Sequence, residues 1–257
     1  MNRCLVTGVA GFIGSHLAER LVDAGIDVLG VDCFTDYYPR PIKERNLAEL
    51  RDHRRFRLVE ARLQDLELPP ILDGAGQVFH LAAQAGVRSS WGRDFERYTE
   101  HNVLATQRLL EAALAARTPR VVYASSSSVY GDAPTLPLRE DAVCRPLSPY
   151  GVTKLAAEHL ALLYERNYGL ATVSLRFFTV YGPRQRPDMA FHRFLRAARD
   201  GRPLTVFGDG LQTRDFTYID DIVCAIRAAG LSGRAGSVYN VGGGMRVALR
   251  DLSLIHI

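Results

Sequence analysis

A glycine-rich turn near the amino end constrains the fold of this chain more than any other feature. In VTGVAGFIGSHLAERL, Gly8, Gly11 and Gly14 follow a strand-like run and open a segment of helical period. Glycine lets the backbone approach a pyrophosphate at a tight turn, where the free N–H groups and positive dipole end of the next helix bind it. The pattern predicts a βαβ dinucleotide site, although glycines at this spacing can also serve helix–strand packing alone.

A carboxylate supports the dinucleotide interpretation. Asp32 ends the second strand-like run, GVDC, at the distance where a carboxylate bonds both hydroxyls of an adenosine ribose. The same carboxylate would repel a 2′-phosphate. The sequence therefore favours NAD over NADP.

Short runs rich in β-branched residues alternate with segments of helical period, which predicts an α/β fold with a doubly wound parallel sheet of about seven strands. The strand-like runs are RCLVTG, DVLGVDC, FRLVEA, QVFHLAA, RVVYASS, ATVSLRF and SVYNVGG. Helices are predicted at 13–24, 103–116, 150–168 and 191–199. After Arg176, proline, glycine and polar residues dominate and indicate a small capping region.

Composition narrows the class of protein. A hydrophobic content of 47% is typical of a globular protein, and 32 Lys and Arg against 28 Asp and Glu give a formal charge of +4. The one basic cluster, RDHRRFR, reads as a solvated surface rather than a nucleic-acid site, since it has no interleaved aromatics of a known module. The four cysteines lack the spacing of a metal site, and no segment is apolar enough for a membrane span. We expect a cytoplasmic protein. The terminal LSLIHI is left out of the fold prediction, and whether it is native stays open.

The stretch SPYGVTK places Tyr150 and Lys154 on one helix face. A tyrosine, with a reference pKa of about 10, is a poor base at neutral pH unless a cation stabilises the phenolate, and Lys154 can supply that cation. Upstream, YASSSSVYG ends a strand with hydroxyls, so that a serine can bond a substrate hydroxyl beside the tyrosine. Such a pair also occurs by chance, and the order of motifs along the chain favours a catalytic role.

With these motifs the sequence resembles the extended short-chain dehydrogenase/reductase family, in its nucleotide-sugar epimerase and dehydratase branch. HLAAQAGVR, YASSSSVYG, SPYGVTK, RFFTVYGP and DGLQTRDFTYIDD carry the resemblance over nearly the whole chain. It implies an NAD-binding Rossmann domain at 1–178 and 215–241, and a partial substrate-binding domain at 179–214 and 242–257. It also implies a homodimer through the helices at 103–116 and 150–168.

The resemblance assigns the residues of the site. Tyr150 is implied as the base, Lys154 as its helper and Ser126 as a hydrogen-bond partner. The positions implied at the cofactor are Gly8, Gly11, Phe12, Ile13, Gly14, Asp32, Leu81, Ala82, Ala83, Tyr150 and Lys154. Those implied at the substrate are Arg88, Ser127, Ser128, Thr179, Arg186, Phe207 and Arg214.

Neighbouring residues separate the branches of the family. Dehydratases resemble one another in a Thr-Asp-Glu run that eliminates water, and the matching positions here are Ser126, Ser127 and Ser128. UDP-glucuronate decarboxylases usually carry a glutamate where this chain has Ser128. The segment RFFTVYGPRQRPDMAF is similar to that of UDP-glucuronate 4-epimerases, whose 4-keto intermediate turns over in the site. UDP-glucose 4-epimerase, the decarboxylase and a non-catalytic NAD-binding scaffold remain as alternatives.

Several features remain open or depart from the pattern. Arg88 and Arg186 are placed to meet a uronate or a diphosphate, or else simply face solvent. Where the family has an aspartate for the adenine amino group, VEARLQD has Arg62, which has no acceptor. We expect NAD binding to be retained, since Asp32 and the glycines are intact. Family members continue beyond VGGG, so we expect sugar binding to be weakened.

Overall fold

The computed structural model describes residues 3–133, 135–204, 206 and 208–254, without the side chains of 253 and 254. The strands are β1 (Arg3–Thr7), β2 (Asp27–Asp32), β3 (Phe56–Glu60), β4 (Gln77–His80), β5 (Val121–Ser126), β6 (Thr172–Phe177), β7 (Thr179–Tyr181), β8 (Thr213–Tyr218), β9 (Ser237–Val241) and β10 (Arg246–Ala248). The helices are α1 (Phe12–Asp23), α2 (Arg40–Asn46), α3 (Leu68–Leu72), α4 (Phe95–Tyr98), α5 (Ala105–Ala115), α6 (Pro149–Tyr168), α7 (Ala190–Arg199), α8 (Ile219–Ser232) and α9 (Leu249–Leu254).

Seven strands form a parallel sheet in the order β3-β2-β1-β4-β5-β6-β9. This confirms the predicted doubly wound sheet and each of its strands. The chain winds in opposite directions from β1, which lies between β2 and β4. In such sheets, ligands bind in the crevice outside the carboxyl ends of the strands at this switch point.

Helices cover both faces of the sheet, as the near-continuous apolar strands require. Along β1, Val6 packs into one apolar cluster and Leu5 into another, because successive side chains point to opposite faces. The first cluster contains α1 and α8, and the second contains α3, α5 and α6. The catalytic tyrosine predicted above therefore begins a helix that is packed firmly against the sheet.

The structure adds elements that the sequence patterns did not predict. A π-helical turn, Thr99–Leu104, joins α4 to α5, so the predicted helix at 103–116 starts earlier, at Phe95. In the predicted capping region, β7 and β10 flank β8 in a three-stranded sheet. The whole of α8 was also missed. Among the described helices, none combines the length and apolar content of a membrane span.

Candidate active site

The glycine turn forms a cradle at the switch point of the sheet. Gly8 has φ +70°, and a Cβ there would lie 2.7 Å from the backbone nitrogen of Ala82. A Cβ on Gly14 would overlap the carbonyl oxygen of Gly8. Gly11 is the N-cap of α1 and brings no side-chain oxygen to its first N–H groups. These groups are available for an anion, as an α-helix leaves its first four N–H groups without intrahelical partners.

Asp32 lies beside this cradle, at the carboxyl end of β2. Its carboxylate accepts hydrogen bonds from the N–H groups of Ala10, at 3.0 Å, and Phe34, at 2.8 Å. Burial raises the pKa of Asp32, and these two bonds and the charge of Lys43 act in the opposite direction. The bonds fix a carboxylate at the edge of the cavity, where its remaining lone pairs can accept from ribose hydroxyls.

The amino end of α6 places Tyr150 at the other end of the cavity. Ser148 is the N-cap, and its hydroxyl accepts from the N–H of Gly151 at 3.1 Å, while Pro149 occupies the first turn. Both residues are typical of a helix start. Burial raises the pKa of Tyr150, and the charge of Arg186 and a hydrogen bond with Ser126 lower it. The predicted base therefore lies close to its serine partner.

Lys154 lies one helical turn after Tyr150 and is 3% exposed. Its ammonium stands over the ring of Tyr123, 4.7 Å from the centroid. Burial lowers the pKa of Lys154 to about 7, with the carboxylate of Glu158 opposing that shift. Lys154 can therefore exchange a proton at neutral pH and stabilise a phenolate when it is charged.

A buried ion pair holds α6 against the sheet. Glu158 and Arg176 form a salt bridge of 2.7 Å, and their side chains are 1% and 6% exposed. Ser125 donates to Glu158 at 2.6 Å, and Arg176 donates to the hydroxyl of Tyr130 at 2.7 Å. The network joins α6 to β5 and β6 and fixes the helix that carries Tyr150 and Lys154.

A second buried network shapes the wall that follows β4. The hydroxyl of Thr7 bonds the N–H of Ala82 at 3.1 Å and the ring of His80 at 2.8 Å. Asn102 accepts from the N–H of Gln84 at 2.7 Å and donates to the Thr153 hydroxyl at 3.0 Å. Burial lowers the pKa of His80 to about 3. His80 is thus neutral, and its ring bonds Thr7 behind the cavity. The π-helical turn Thr99–Leu104 positions Asn102.

All the positions predicted for the cofactor line one cavity: Gly8, Gly11, Phe12, Ile13, Gly14, Asp32, Leu81, Ala82, Ala83, Tyr150 and Lys154. The cavity runs from the end of β3, past the glycines, to the start of α6. Residues that were not predicted also line it, among them Tyr37, Tyr38, Lys43, Gln64 and His101. No signal in the sequence marked them, because they come from separate segments, including α2 and the π-helical turn, that only the fold brings together.

The positions predicted for the substrate are spread more widely. Among them, Arg186 lines the cavity. Ser127 and Ser128 form a short 3₁₀ turn directly after β5, and the N–H of Ser128 donates to Ser126 at 3.1 Å. Thr179 begins β7.

Of the three further substrate positions, two are not among the residues that line the cavity, and one lies outside the residues that the structure describes. Arg88 is exposed on a short 3₁₀ turn, and Arg214 is exposed on β8. Phe207 lies outside the described residues. In the described part of the chain, no group of three His, Cys, Asp or Glu side chains is placed to bind a metal ion.

Residues 4–242 match the family model of the NAD dependent epimerase/dehydratase family. The chain belongs to that family. It is 48% identical, over 98% of its length and 81% of the relative's, to a Bacillus subtilis protein named as an uncharacterised UDP-glucose epimerase. It is 42% identical to a UDP-glucuronate 4-epimerase of Thermodesulfobacterium geofontis, over 95% of this chain and 76% of that one.

A solved structure is similar over almost the entire chain. UDP-glucuronic acid 4-epimerase from Bacillus cereus, in complex with UDP-glucuronic acid and NAD, matches with a TM-score of 0.95 and 44% identity, covering 99% of this chain and 82% of that one. The predicted family and its NAD cofactor are thereby confirmed. The cavity fits NAD: the first N–H groups of α1 have no side-chain cap and can bind a pyrophosphate, and Asp32 presents acceptors to a ribose.

Proposed function

We propose that this chain is a UDP-sugar 4-epimerase that interconverts UDP-glucuronate and UDP-galacturonate. The observation that carries the proposal is that Tyr150 and Lys154 line the same cavity as the NAD positions, while the turn after β5 offers hydroxyls at Ser127 and Ser128 instead of carboxyl groups. The base for alcohol oxidation is in place, and those two positions offer no acid or base for dehydration. The UDP-glucuronate epimerases among the relatives support the choice of sugar.

Tyr150 would remove the proton from the sugar 4-hydroxyl, and Ser126 would hold that hydroxyl beside it. Lys154 would stabilise the phenolate form of Tyr150. When bound, NAD would supply a hydride acceptor for C4 and, in its reduced form, the hydride donor for the return step. After the 4-keto sugar rotates in the site and presents its other face, Tyr150 would return the proton to the oxygen at C4.

The substrate brings a hazard that the site must control. A uronate that is oxidised at C4 is a β-keto acid and can lose carbon dioxide. We propose that the hydroxyls of Ser127, Ser128 and Thr179, together with Arg186, hold the carboxylate out of the geometry that favours cleavage.

Arg186 is proposed as the group that binds the carboxylate rather than the diphosphate. It lines the same cavity as Tyr150, beside which C4 must react, and its charge lowers the pKa of Tyr150. The carboxylate is one carbon removed from C4, on C5, whereas the diphosphate is attached across the ring at C1. Asp188 already orients the guanidinium, with contacts of 3.0 and 3.1 Å.

Arg186→Leu is expected to lower kcat/KM for UDP-glucuronate about thirtyfold, since a hydrogen bond to a charged group contributes about 2 kcal/mol. Arg184→Leu is the matched control, because both arginine side chains are 25% exposed and Arg184 pairs with Glu19 on α1. Steady-state kinetics on both variants test this. Equal losses in the two variants would contradict a role for Arg186 in binding the carboxylate.

The two parts of the chain are proposed to divide the work. Residues 1–178 and 215–241 would bind NAD, and residues 179–214 and 242–257 would bind the sugar nucleotide with Arg214 and Phe207, while Arg88 would face it from the NAD-binding part. β8 crosses the proposed boundary at residue 215, so the two parts share one strand.

A homodimer in the cytoplasm is also part of the proposal. Exposed apolar side chains lie on α4 to α6, including Phe95, Leu104, Val152 and Leu163. A second copy would cover this face as a four-helix bundle, and light scattering should then give twice the monomer mass. All four cysteines are free thiols, which is typical of a reducing compartment.

Incubating the chain with UDP-glucuronate and NAD, and following the products by NMR, tests the function. The proposal predicts UDP-galacturonate. A UDP-pentose would instead show the decarboxylase, and turnover of UDP-glucose alone would show the neutral-sugar epimerase. Bound NAD without turnover of either sugar would indicate the non-catalytic scaffold.

A further inference from the structure

The adenine end of the cleft can be located from the order of the strands. β1 carries the glycine cradle and β2 carries Asp32, which fixes the direction from pyrophosphate to ribose. β3 is the next strand in that direction. The cavity there is lined by Ala61, Leu63 and Gln64 after β3, and by His101 and Ala105 opposite. The base attached to the ribose must lie among these residues.

The residue that matches the family's adenine-binding aspartate does not provide an acceptor here. Arg62 carries only donors, and its guanidinium pairs with Glu100 at 3.0 Å and with Asp65 at 3.9 Å. Arg62 is also not among the described residues that line the cavity. The 6-amino group of adenine therefore needs a different partner.

Gln64 has an acceptor oxygen to offer. Its Nε2 donates to the backbone carbonyl of Glu100 at 2.7 Å, and since a carbonyl only accepts, this bond fixes which atom of the amide is nitrogen. The other atom, Oε1, is buried and has no hydrogen-bond partner in the described part of the chain. A buried acceptor without a partner is rare and costs stability. Thr118 and Ser174 also have such an atom but do not line the cavity, whereas Gln64 does, so a ligand in the cavity can complete it.

The surroundings hold this amide in place. Arg108 donates to the backbone carbonyl of Gln64. The carboxylate of Glu100 pairs with Arg62, and its backbone carbonyl accepts the hydrogen bond from Gln64. The arginine that departs from the family pattern thus anchors the turn on which the glutamine depends.

We propose that the side-chain oxygen of Gln64 accepts a hydrogen bond from the 6-amino group of the NAD adenine. This inference rests on NAD binding alone and not on the identity of the sugar. It makes Gln64 a residue that selects adenine over other bases in the cofactor, in place of the carboxylate that Arg62 has replaced.

The experiment is a competition between NAD and its purine analogue, in which hydrogen replaces the 6-amino group. The purified chain is exchanged against a large equimolar excess of both until the bound ratio is constant. Free nucleotide is then removed, the protein is denatured, and the released nucleotides are quantified by chromatography. We expect the wild-type chain to prefer NAD about tenfold, since the analogue leaves Oε1 unpaired.

Gln64→Met keeps the size of the side chain and removes its acceptor, and should bring the bound ratio to about one. Gln77→Met is the matched control and should keep the tenfold preference. Gln77 also donates from Nε2 to a backbone carbonyl, that of Gly230 at 2.6 Å, but at the opposite end of the sheet.

A wild-type ratio near one, or a preference that survives in Gln64→Met, would overturn the inference while leaving the NAD site intact. A wild-type chain that takes up neither nucleotide would overturn the NAD site itself. A change in sugar turnover bears on neither result.

Discussion

Tyr150→Phe is expected to lower kcat for UDP-glucuronate about a thousandfold, within the range that general acid–base catalysis contributes. Phenylalanine keeps the ring that packs edge-on against Tyr98, with centroids 6.2 Å apart, and removes the hydroxyl that is proposed to act as the base. Because the fold and the glycine cradle are unchanged, the variant should retain its NAD. Steady-state kinetics, with bound NAD quantified after denaturation, measure both effects.

Tyr164→Phe is the control for this substitution. Tyr164 lies on the same helix and is mostly buried, but its hydroxyl bonds Glu111 and Gln107 outside the cavity. It should keep nearly full activity. If Tyr150→Phe retained a tenth or more of the wild-type kcat, another group would have to take the proton, and the proposed mechanism would be wrong.

Arg176→Met is expected to lower the free energy of unfolding by about 3–5 kcal/mol, the usual cost of leaving a buried charge unpaired. The substitution would leave the carboxylate of Glu158, which is 1% exposed, without its salt bridge and with the hydroxyl of Ser125 as its remaining hydrogen-bond partner. The hydroxyl of Tyr130 would also lose its donor. Urea denaturation of the nucleotide-free chain measures the change.

The double variant Glu158→Gln/Arg176→Met is the matched control, because it removes both charges at once. It should recover most of the lost stability, since a buried pair contributes much less than the penalty of breaking it. A double variant as unstable as Arg176→Met would show that packing, and not the unpaired charge, causes the loss.

The sequence was sufficient for those parts of the site that lie within one continuous motif. A single predicted strand or helix is enough to place each of these: the glycine turn, Asp32 at the end of β2, and the pair Tyr150 and Lys154. The spacing of apolar residues predicts those strands and helices. The handedness and connections of βαβ units then leave only a few possible strand orders, and the structure shows which of them the chain adopts.

The parts that were missed depend on contacts between distant segments. Gln64 meets Glu100 across 36 residues, and Glu158 meets Arg176 across 18. The π-helical turn Thr99–Leu104 differs from an α-helix only in its hydrogen-bond step, which apolar periodicity does not record. The small sheet of β7, β8 and β10 has strands as short as 3 residues, within a stretch rich in glycine and proline.

The most direct test of the account uses UDP-glucuronate that carries deuterium at C4, incubated with the wild-type chain in ordinary water. Removal and return of the same hydrogen in one closed site predicts UDP-galacturonate that retains the deuterium at C4, as read by NMR and mass spectrometry. UDP-galacturonate with the deuterium lost to solvent, or a UDP-pentose as the main product, would contradict the proposed 4-epimerase.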